Sequence, residues 1–106
     1  MGSEMCIRDR GAEVIVHGNI QQAVALCHQL RDDKGRTLVH PYNDVRIMAG
    51  QGTVGLELLR QQSDVDRILC PIGGGGLISG LGLAIKAQRP EVELIGVEPE
   101  LSLIHI

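Results

Sequence analysis

The chain has 106 residues, of which 43% are hydrophobic and only Tyr42 is aromatic, so a core must be built from Leu, Ile, Val and Ala. Its net charge of −3 comes with scattered Lys and Arg and no basic stripe, which argues against a nucleic-acid partner. No apolar run approaches the ~20 residues that cross a bilayer, and no signal-peptide pattern opens the chain, so we expect a cytoplasmic protein without a membrane partner.

The two ends of the chain have an unusual relation to each other. One back-translation of residues 5–10 has a reverse complement that encodes residues 101–106, and this DNA element is similar to a transposon adapter used for sequencing libraries. We therefore expect residues 1–10 and 101–106 to be adapter-like, non-native ends, and residues 11–100 to be a fragment of a catalytic domain. A short native tail at each end is the alternative.

The first half of residues 11–100 predicts a strand, a helix and a second strand. Residues 13–17 are a short β-rich run, followed by Asn19 as an N-cap with Gln22 in the capping-box position. A helix is expected over residues 20–30, where apolar side chains recur at helical spacing until a polar stretch ends it. Residues 37–39 predict the second strand.

The second half predicts two more helices and two more strands. A helix opens at residues 49–53 and runs to about Gln62, and a third strand follows at residues 67–72. The apolar character of this strand is typical of a parallel sheet covered on both faces. A third helix ends near Pro90 and a last strand covers residues 92–97. The alternation β-α-β-α-β-α-β predicts an α/β sheet protein.

Four consecutive glycines, Gly73, Gly74, Gly75 and Gly76, lie between the third strand and the third helix. Open α/β sheets place their ligands at the carboxyl ends of strands. Because glycine takes positive φ without a Cβ penalty, successive N–H groups can form a concave nest, and the helix that starts near Leu77 adds its positive dipole end. The loop therefore predicts a phosphate site, with a flexible glycine turn needed for packing as the alternative.

Nucleotide-binding motifs fit this loop less well. No Gly-Lys-Ser or Gly-Lys-Thr follows the glycines, so it is not a Walker motif, and G-x-G-x-x-G fails because its last position would be Ile78 or Ser79. Glu98 nevertheless ends the next strand roughly 20 residues later, where a Rossmann acid would bind ribose hydroxyls. A dinucleotide-binding protein therefore remains an alternative.

Four motifs in order, VHPYND at 39–44, AGQGTVGLE at 49–57, PIGGGGLISG at 71–80 and GVEPE at 96–100, resemble threonine dehydratases and serine racemases. These are pyridoxal-phosphate enzymes of the tryptophan-synthase-β fold type. The resemblance covers nearly all of residues 11–100 with matching spacing. It implies a fragment of a three-layer α/β enzyme with a parallel sheet.

This resemblance implies a cofactor and a reaction. In the family the phosphate of pyridoxal phosphate lies in the glycine loop, which assigns Gly73, Gly74, Gly75, Gly76 and the Leu77 amide to cofactor binding. The substrate would be an amino acid that loses its α-proton and its β-hydroxyl and yields a keto acid and ammonia, which for L-threonine is 2-oxobutanoate. A racemase would instead return the proton to the other face. The resemblance further implies a homo-oligomeric parent and a place in isoleucine biosynthesis.

The same resemblance leaves the catalytic side chains outside this segment. The Schiff-base lysine of the family lies upstream and a serine partner of the pyridine nitrogen lies downstream, so we assign no catalytic residue and expect the fragment alone to be inactive. Lys34 and Lys86 do not match the family lysine. Some racemase-like members bind a divalent cation through a glutamate in the position of Glu98, which makes Glu98 a candidate metal ligand. A phosphate-binding module without lyase chemistry is the alternative from another class.

Overall fold

The computed structural model describes residues 2–100, with side chains from residue 5 onward. Its elements in chain order are α1 (Gly2–Arg8), α2 (Ile20–Lys34), α3 (Val45–Gln61), β1 (Arg67–Pro71), α4 (Gly76–Gln88) and β2 (Glu93–Val97). The chain divides into two compact units, the first ending at Val39 and the second beginning at His40. None of the described helices has both the length and the apolar character that crossing a membrane requires.

In the first unit, α2 begins at the predicted capping box. The Asn19 side chain accepts the N–H of Gln22 and the Gln22 side chain accepts the N–H of Asn19, both at 2.9 Å. The helix continues to Lys34, four residues beyond the predicted end at residue 30, and ends at Gly35 with φ +61°. The polar residues before Gly35 extend the helix because Arg and Lys are good helix formers and glycine supplies the left-handed cap.

The two strands predicted in this unit do not form within the described residues. Residues 12–17 and 35–40 are in neither helix nor strand, and the described sheet contains only β1 and β2. A strand forms only against a neighbour, because its N–H and C=O groups point sideways and cannot bond within the strand. Val16 and Val39 are accordingly 72% and 67% exposed. The prediction of four strands is therefore wrong for residues 13–17 and 37–39.

In the second unit, the predicted strand, helix and strand around the glycine loop are confirmed. β1 and β2 pair in parallel, from Arg67 opposite Glu93 to Pro71 opposite Val97. Parallel neighbours need a crossover connection, and α4 supplies it. The apolar core of this unit consists of Leu59, Cys70, Leu81, Ile85 and Val92.

The described part of the sheet is covered on one face only. Cys70 of β1 is buried in the core, whereas Leu69, which points to the opposite face, is 64% exposed. The expectation that this strand is buried on both faces is therefore not met by residues 2–100. The difference follows from the number of layers, since the second unit packs helix α4 against one side of the strand pair.

Helices α3 and α4 approach each other closely through glycines. A Cβ on Gly80 would overlap the carbonyl oxygen of Met48 and would lie 2.7 Å from the backbone nitrogen of Gly52. A Cβ on Gly55 would lie 3.2 Å from Cγ1 of Ile85. The backbones of the two helices therefore meet at Gly80 without an intervening side chain.

Replacing Gly80 with alanine should destabilise the chain, whereas the same change at Gly82 in the same helix should not. The Gly80 methyl group would meet rigid backbone atoms, and overpacking of this kind costs about 1–3 kcal/mol. At Gly82 the nearest atom to a new Cβ is Cδ2 of Leu94 at 3.5 Å, so the better helix propensity of alanine should raise the free energy of unfolding by up to ~1 kcal/mol. Urea unfolding followed by circular dichroism measures both, and equal stability of the two variants would contradict this packing.

Candidate functional site

The turn before α3 is fixed by Asp44. This residue is the N-cap of α3, and its Oδ1 accepts the backbone N–H of Arg46 at 2.8 Å. The guanidinium of Arg46 donates to both carboxylate oxygens, at 3.1 Å to Oδ1 and 2.8 Å to Oδ2. These hydrogen bonds, from the Arg46 side chain first and its backbone second, lower the pKa of Asp44 to about 2. Asp44 is therefore ionised at neutral pH and places a negative charge at the start of α3.

His40 organises the residues that precede this cap. Its Nδ1 accepts the N–H of Asn43 at 2.8 Å and that of Tyr42 at 3.2 Å. The His40 ring also contacts the Tyr42 ring edge-on, with centroids 4.7 Å apart and planes at 86°. The turn therefore holds the Tyr42 ring in one orientation.

The glycine loop joins β1 to α4 in a conformation that glycine favours. Gly75 is the N-cap of α4 and has φ +89°, in the left-handed region. It offers no side-chain hydrogen bond to the first turn of the helix, and that turn contains no acidic residue. The first N–H groups of a helix have no partner inside the helix. The amino-terminal end of α4 therefore presents N–H donors and a positive dipole end without side-chain compensation.

A cavity of about 390 Å³ borders this loop. The five residues predicted to bind the cofactor line it together with four others: Gly73, Gly74, Gly75, Gly76, Leu77, Pro41, Tyr42, Gln51 and Pro71. A Cβ on Gly73 or on Gly75 would meet no atom within 4 Å, so both glycines face open space. None of the lining residues is charged. An anion in this cavity would be bound by backbone N–H groups and by the helix dipole.

The cavity wall contains four residues that were not predicted as site residues on sequence grounds: Pro71, which ends β1, and three residues from earlier in the chain. Pro41, Tyr42 and Gln51 lie more than 20 positions before the loop and come from the turn before α3 and from α3 itself. Their only signal in the sequence was membership of the motifs at 39–44 and 49–57. Nothing in those motifs indicates that they reach the glycines.

Glu98, the candidate metal ligand, follows directly after β2 and does not line this cavity. Within residues 2–100 no group of three or more His, Cys, Asp or Glu side chains could hold a metal ion. Lys86 lies in the last turn of α4, at the end opposite the glycine loop, and donates to the carbonyl oxygens of Pro90 and Val92.

Comparison with known proteins identifies the family. A model of the family described as pyridoxal-phosphate dependent enzyme matches residues 2–105. The chain belongs to this family. Members of this family use pyridoxal phosphate as cofactor. The prediction from the four motifs, that the chain comes from a pyridoxal-phosphate enzyme, is confirmed.

Two curated members of this family are closely similar to the chain. The L-threonine ammonia-lyase of Geobacter sulfurreducens is 51% identical over 92 residues, which are 86% of this chain and 23% of that enzyme. The L-threonine ammonia-lyase of Thermotoga maritima is 47% identical over 94 residues, again 23% of the relative. The chain thus spans about a quarter of the length of the curated relatives that it matches.

Solved structures of the family confirm the fold. Maize serine racemase superimposes with a TM-score of 0.83 at 36% identity, covering 94% of this chain and 32% of that one. A threonine deaminase from T.th. gives a TM-score of 0.81 at 41% identity, covering 92% of this chain and 33% of that one. The expected α/β class, a fragment of a tryptophan-synthase-β-like enzyme, is therefore confirmed.

The ion pair at the start of α3 predicts the titration of Asp44. Its folded pKa lies below the ordinary value of 3.8, so Asp44 stabilises the folded chain above that pH, and the contribution disappears as the pH falls toward about 2. Carbon-detected NMR of the carboxyl group should show a midpoint near 2. Arg46→Ala should move the midpoint toward 3.8, because the Arg46 side chain is the largest cause of the shift.

The control for this titration is Arg60→Ala, at the other end of α3. It should leave the midpoint of Asp44 unchanged. A midpoint near 3.8 in the unsubstituted chain would contradict the geometry of the cap.

Proposed function

We propose that this chain is a segment of a pyridoxal-phosphate-dependent threonine ammonia-lyase, and that its glycine loop binds the phosphate of the cofactor. One observation carries the proposal: all five residues assigned to the phosphate line a single cavity at the start of α4, where no side chain caps the helix. Identities of 51% and 47% to L-threonine ammonia-lyases support the choice of reaction. The native part of the segment is proposed to be residues 11–100.

The cavity suits a phosphate group for two reasons. Its floor consists of glycines that leave room for an anion to approach the backbone, since a Cβ on Gly73 or Gly75 would project into open space. Its donors are the loop amides and the first amides of α4, including that of Leu77, which helix geometry points toward the ligand. None of the described residues that line the cavity is cationic, so within residues 2–100 the phosphate charge is balanced by aligned N–H dipoles.

These residues bind and orient the cofactor, and the cofactor supplies an electron sink for the charge that develops when the α-proton of an amino acid is removed. A phosphate fixed at one end of the ring determines where its reactive carbon lies. For L-threonine, loss of the α-proton and the β-hydroxyl gives water and an enamine. Hydrolysis of the enamine consumes one water and gives 2-oxobutanoate and ammonia. The lysine and the acid–base groups for these steps are proposed to lie in other segments of the complete enzyme.

Amino-acid racemisation is the second candidate. Maize serine racemase superimposes on this chain with a TM-score of 0.83, and an aspartate racemase with a TM-score of 0.81. The similarity of fold therefore favours a racemase as much as a lyase. The sequence identities of 36% and 34% to these racemases are lower than the 51% and 47% to the L-threonine ammonia-lyases of Geobacter sulfurreducens and Thermotoga maritima, which favours the lyase. Both reactions begin with removal of the α-proton, so the same phosphate site serves either.

A cytoplasmic location is proposed because the sequence contains no membrane-spanning apolar run and no signal-peptide pattern. A homo-oligomeric complete enzyme, a role in isoleucine biosynthesis and a divalent cation at Glu98 are proposed from the resemblance alone. The position of Glu98 immediately after β2 is compatible with the last of these. Cation binding can be tested with a chimera that carries residues 11–100 in the Geobacter sulfurreducens enzyme, by measuring its thermal unfolding with and without Mg²⁺. An unfolding temperature that Mg²⁺ does not change would exclude the cation.

A chimera tests the proposed function. Residues 11–100 replace the aligned segment of the Geobacter sulfurreducens enzyme, whose remaining segments supply the rest of the fold. We expect the purified chimera to retain pyridoxal phosphate, visible by its absorbance, and to form 2-oxobutanoate from L-threonine. D-serine formation from L-serine without keto acid would favour the racemase. A folded chimera without bound cofactor would refute the proposed function.

A matched pair of glycine variants shows whether the loop binds the cofactor. Gly75 and Gly35 both have positive φ, +89° and +61°, and a Cβ on either would meet no atom within 4 Å. Alanine should therefore strain the backbone similarly at both positions, by on the order of 1–3 kcal/mol. Only Gly75→Ala should raise the dissociation constant of the cofactor, by roughly tenfold or more, since each 1.4 kcal/mol is a factor of ten. Equal effects of the two variants on cofactor affinity would contradict the assignment of the loop.

A further inference from the structure

The ring of Tyr42 lies directly against the glycine loop. A Cβ on Gly74 would overlap Cγ and Cδ1 of Tyr42 and would lie 2.6 Å from Cδ2, so only a hydrogen atom fits between the ring and the loop. A Cβ on Gly76 would lie 3.0 Å from both Cα and Cβ of Tyr42. Tyr42 therefore contacts the middle of the loop and the first residue of α4 at the same time.

The orientation of this ring is set by its neighbours in the chain. His40 accepts the backbone N–H of Tyr42 and contacts the ring edge-on, while Pro41 between them has a restricted φ. Asp44 then caps α3 two residues later. Tyr42 remains 41% exposed, and it is one of the residues that line the cavity. One side of Tyr42 is thus packed on glycine and another borders the space proposed for the phosphate.

We propose that Tyr42 is a positioning residue for the cofactor phosphate, and that His40 acts through Tyr42; both statements rest on the proposed function of the loop. Four consecutive glycines have more conformational freedom than four residues of any other type. Ordering them around an anion therefore costs conformational entropy. A ring packed on Gly74 restricts the loop before the anion arrives, which lowers that cost. The effect is large here because the lining side chains include no cation that could bind phosphate when the amides are misaligned.

The contact between Tyr42 and Gly74 can be tested by substituting both partners. Gly74 does not have a positive φ, so alanine at this position is opposed by the Tyr42 ring and not by backbone strain. Gly74→Ala should therefore misplace the loop when Tyr42 is present and be tolerated when Tyr42 is replaced by alanine. Gly75→Ala is the matched control, because its φ of +89° strains the backbone with or without the ring.

The measured quantity is the dissociation constant of pyridoxal phosphate, determined by equilibrium dialysis and independent of turnover. The full 106-residue chain is measured first, with inorganic phosphate as a second probe, and the chimera is the second system if a variant chain does not fold. Tyr42→Ala should raise the dissociation constant roughly tenfold, a change of about 1.4 kcal/mol in binding. Tyr42→Phe, which keeps the ring, should restore most of the lost affinity.

The double variants decide between positioning and simple packing. Gly74→Ala should weaken binding by roughly tenfold in the Tyr42 background and by less than about threefold in the Tyr42→Ala background, whereas Gly75→Ala should cost the same in both. His40→Leu should weaken binding in the same direction as Tyr42→Ala, and His40→Asn, whose side-chain oxygen can accept the two N–H groups, should weaken it less.

Two failures are distinguishable. If Tyr42→Ala binds the cofactor within about twofold of the unsubstituted protein, or if the effects of Gly74→Ala and Tyr42→Ala simply add, then Tyr42 does not position the loop although the loop still binds phosphate. If the unsubstituted chimera itself does not bind pyridoxal phosphate, the proposed function fails, and the role of Tyr42 fails with it.

Discussion

The close approach of α3 to α4 at Gly80 determines what can surround the glycine loop. Because a Cβ on Gly80 would overlap the carbonyl oxygen of Met48, the two helix backbones touch about one turn from their beginnings. The residues just before each helix are therefore neighbours. This places the turn of residues 40–44 beside residues 73–76, and the cavity lies between these two segments. A larger residue at Gly80 would separate the helices and open the site.

The two helix beginnings that meet there differ in electrostatic character. At the start of α3 the ionised Asp44 side chain accepts a backbone N–H, and its carboxylate is paired with the guanidinium of Arg46. The start of α4 has Gly75 as its cap and no acidic residue in its first turn. The start of α4 therefore keeps N–H donors that no side chain caps, which is the feature that the proposed phosphate site requires. A side chain is excluded at Gly74, where a Cβ would overlap the ring of Tyr42.

The parts of the structure that were predictable from the sequence are those with local signals. The capping box of α2 in the first unit, and the apolar run of β1 and the glycines before α4 in the second unit, each determine structure within a few residues. The strands expected at 13–17 and 37–39 did not form, because a strand depends on partners elsewhere in a sheet and residues 2–100 supply none. The helix α1 had no recognised signal, and the contact of Tyr42 with Gly74 joins positions 32 residues apart, which no local pattern indicates. The family could be identified from its sequence motifs, whereas the residues that shape the cavity could be identified only from the fold.

The central claim, that the backbone amides of the glycine loop bind the phosphate, is tested most directly by amide NMR. The isotope-labelled chain is titrated with pyridoxal phosphate and, separately, with inorganic phosphate, while the amide resonances of residues 73–77 are followed. If the loop amides bind the phosphate, these resonances should shift most and saturate together, and both ligands should shift the same group. Binding that leaves these amides unchanged and shifts resonances elsewhere would contradict it.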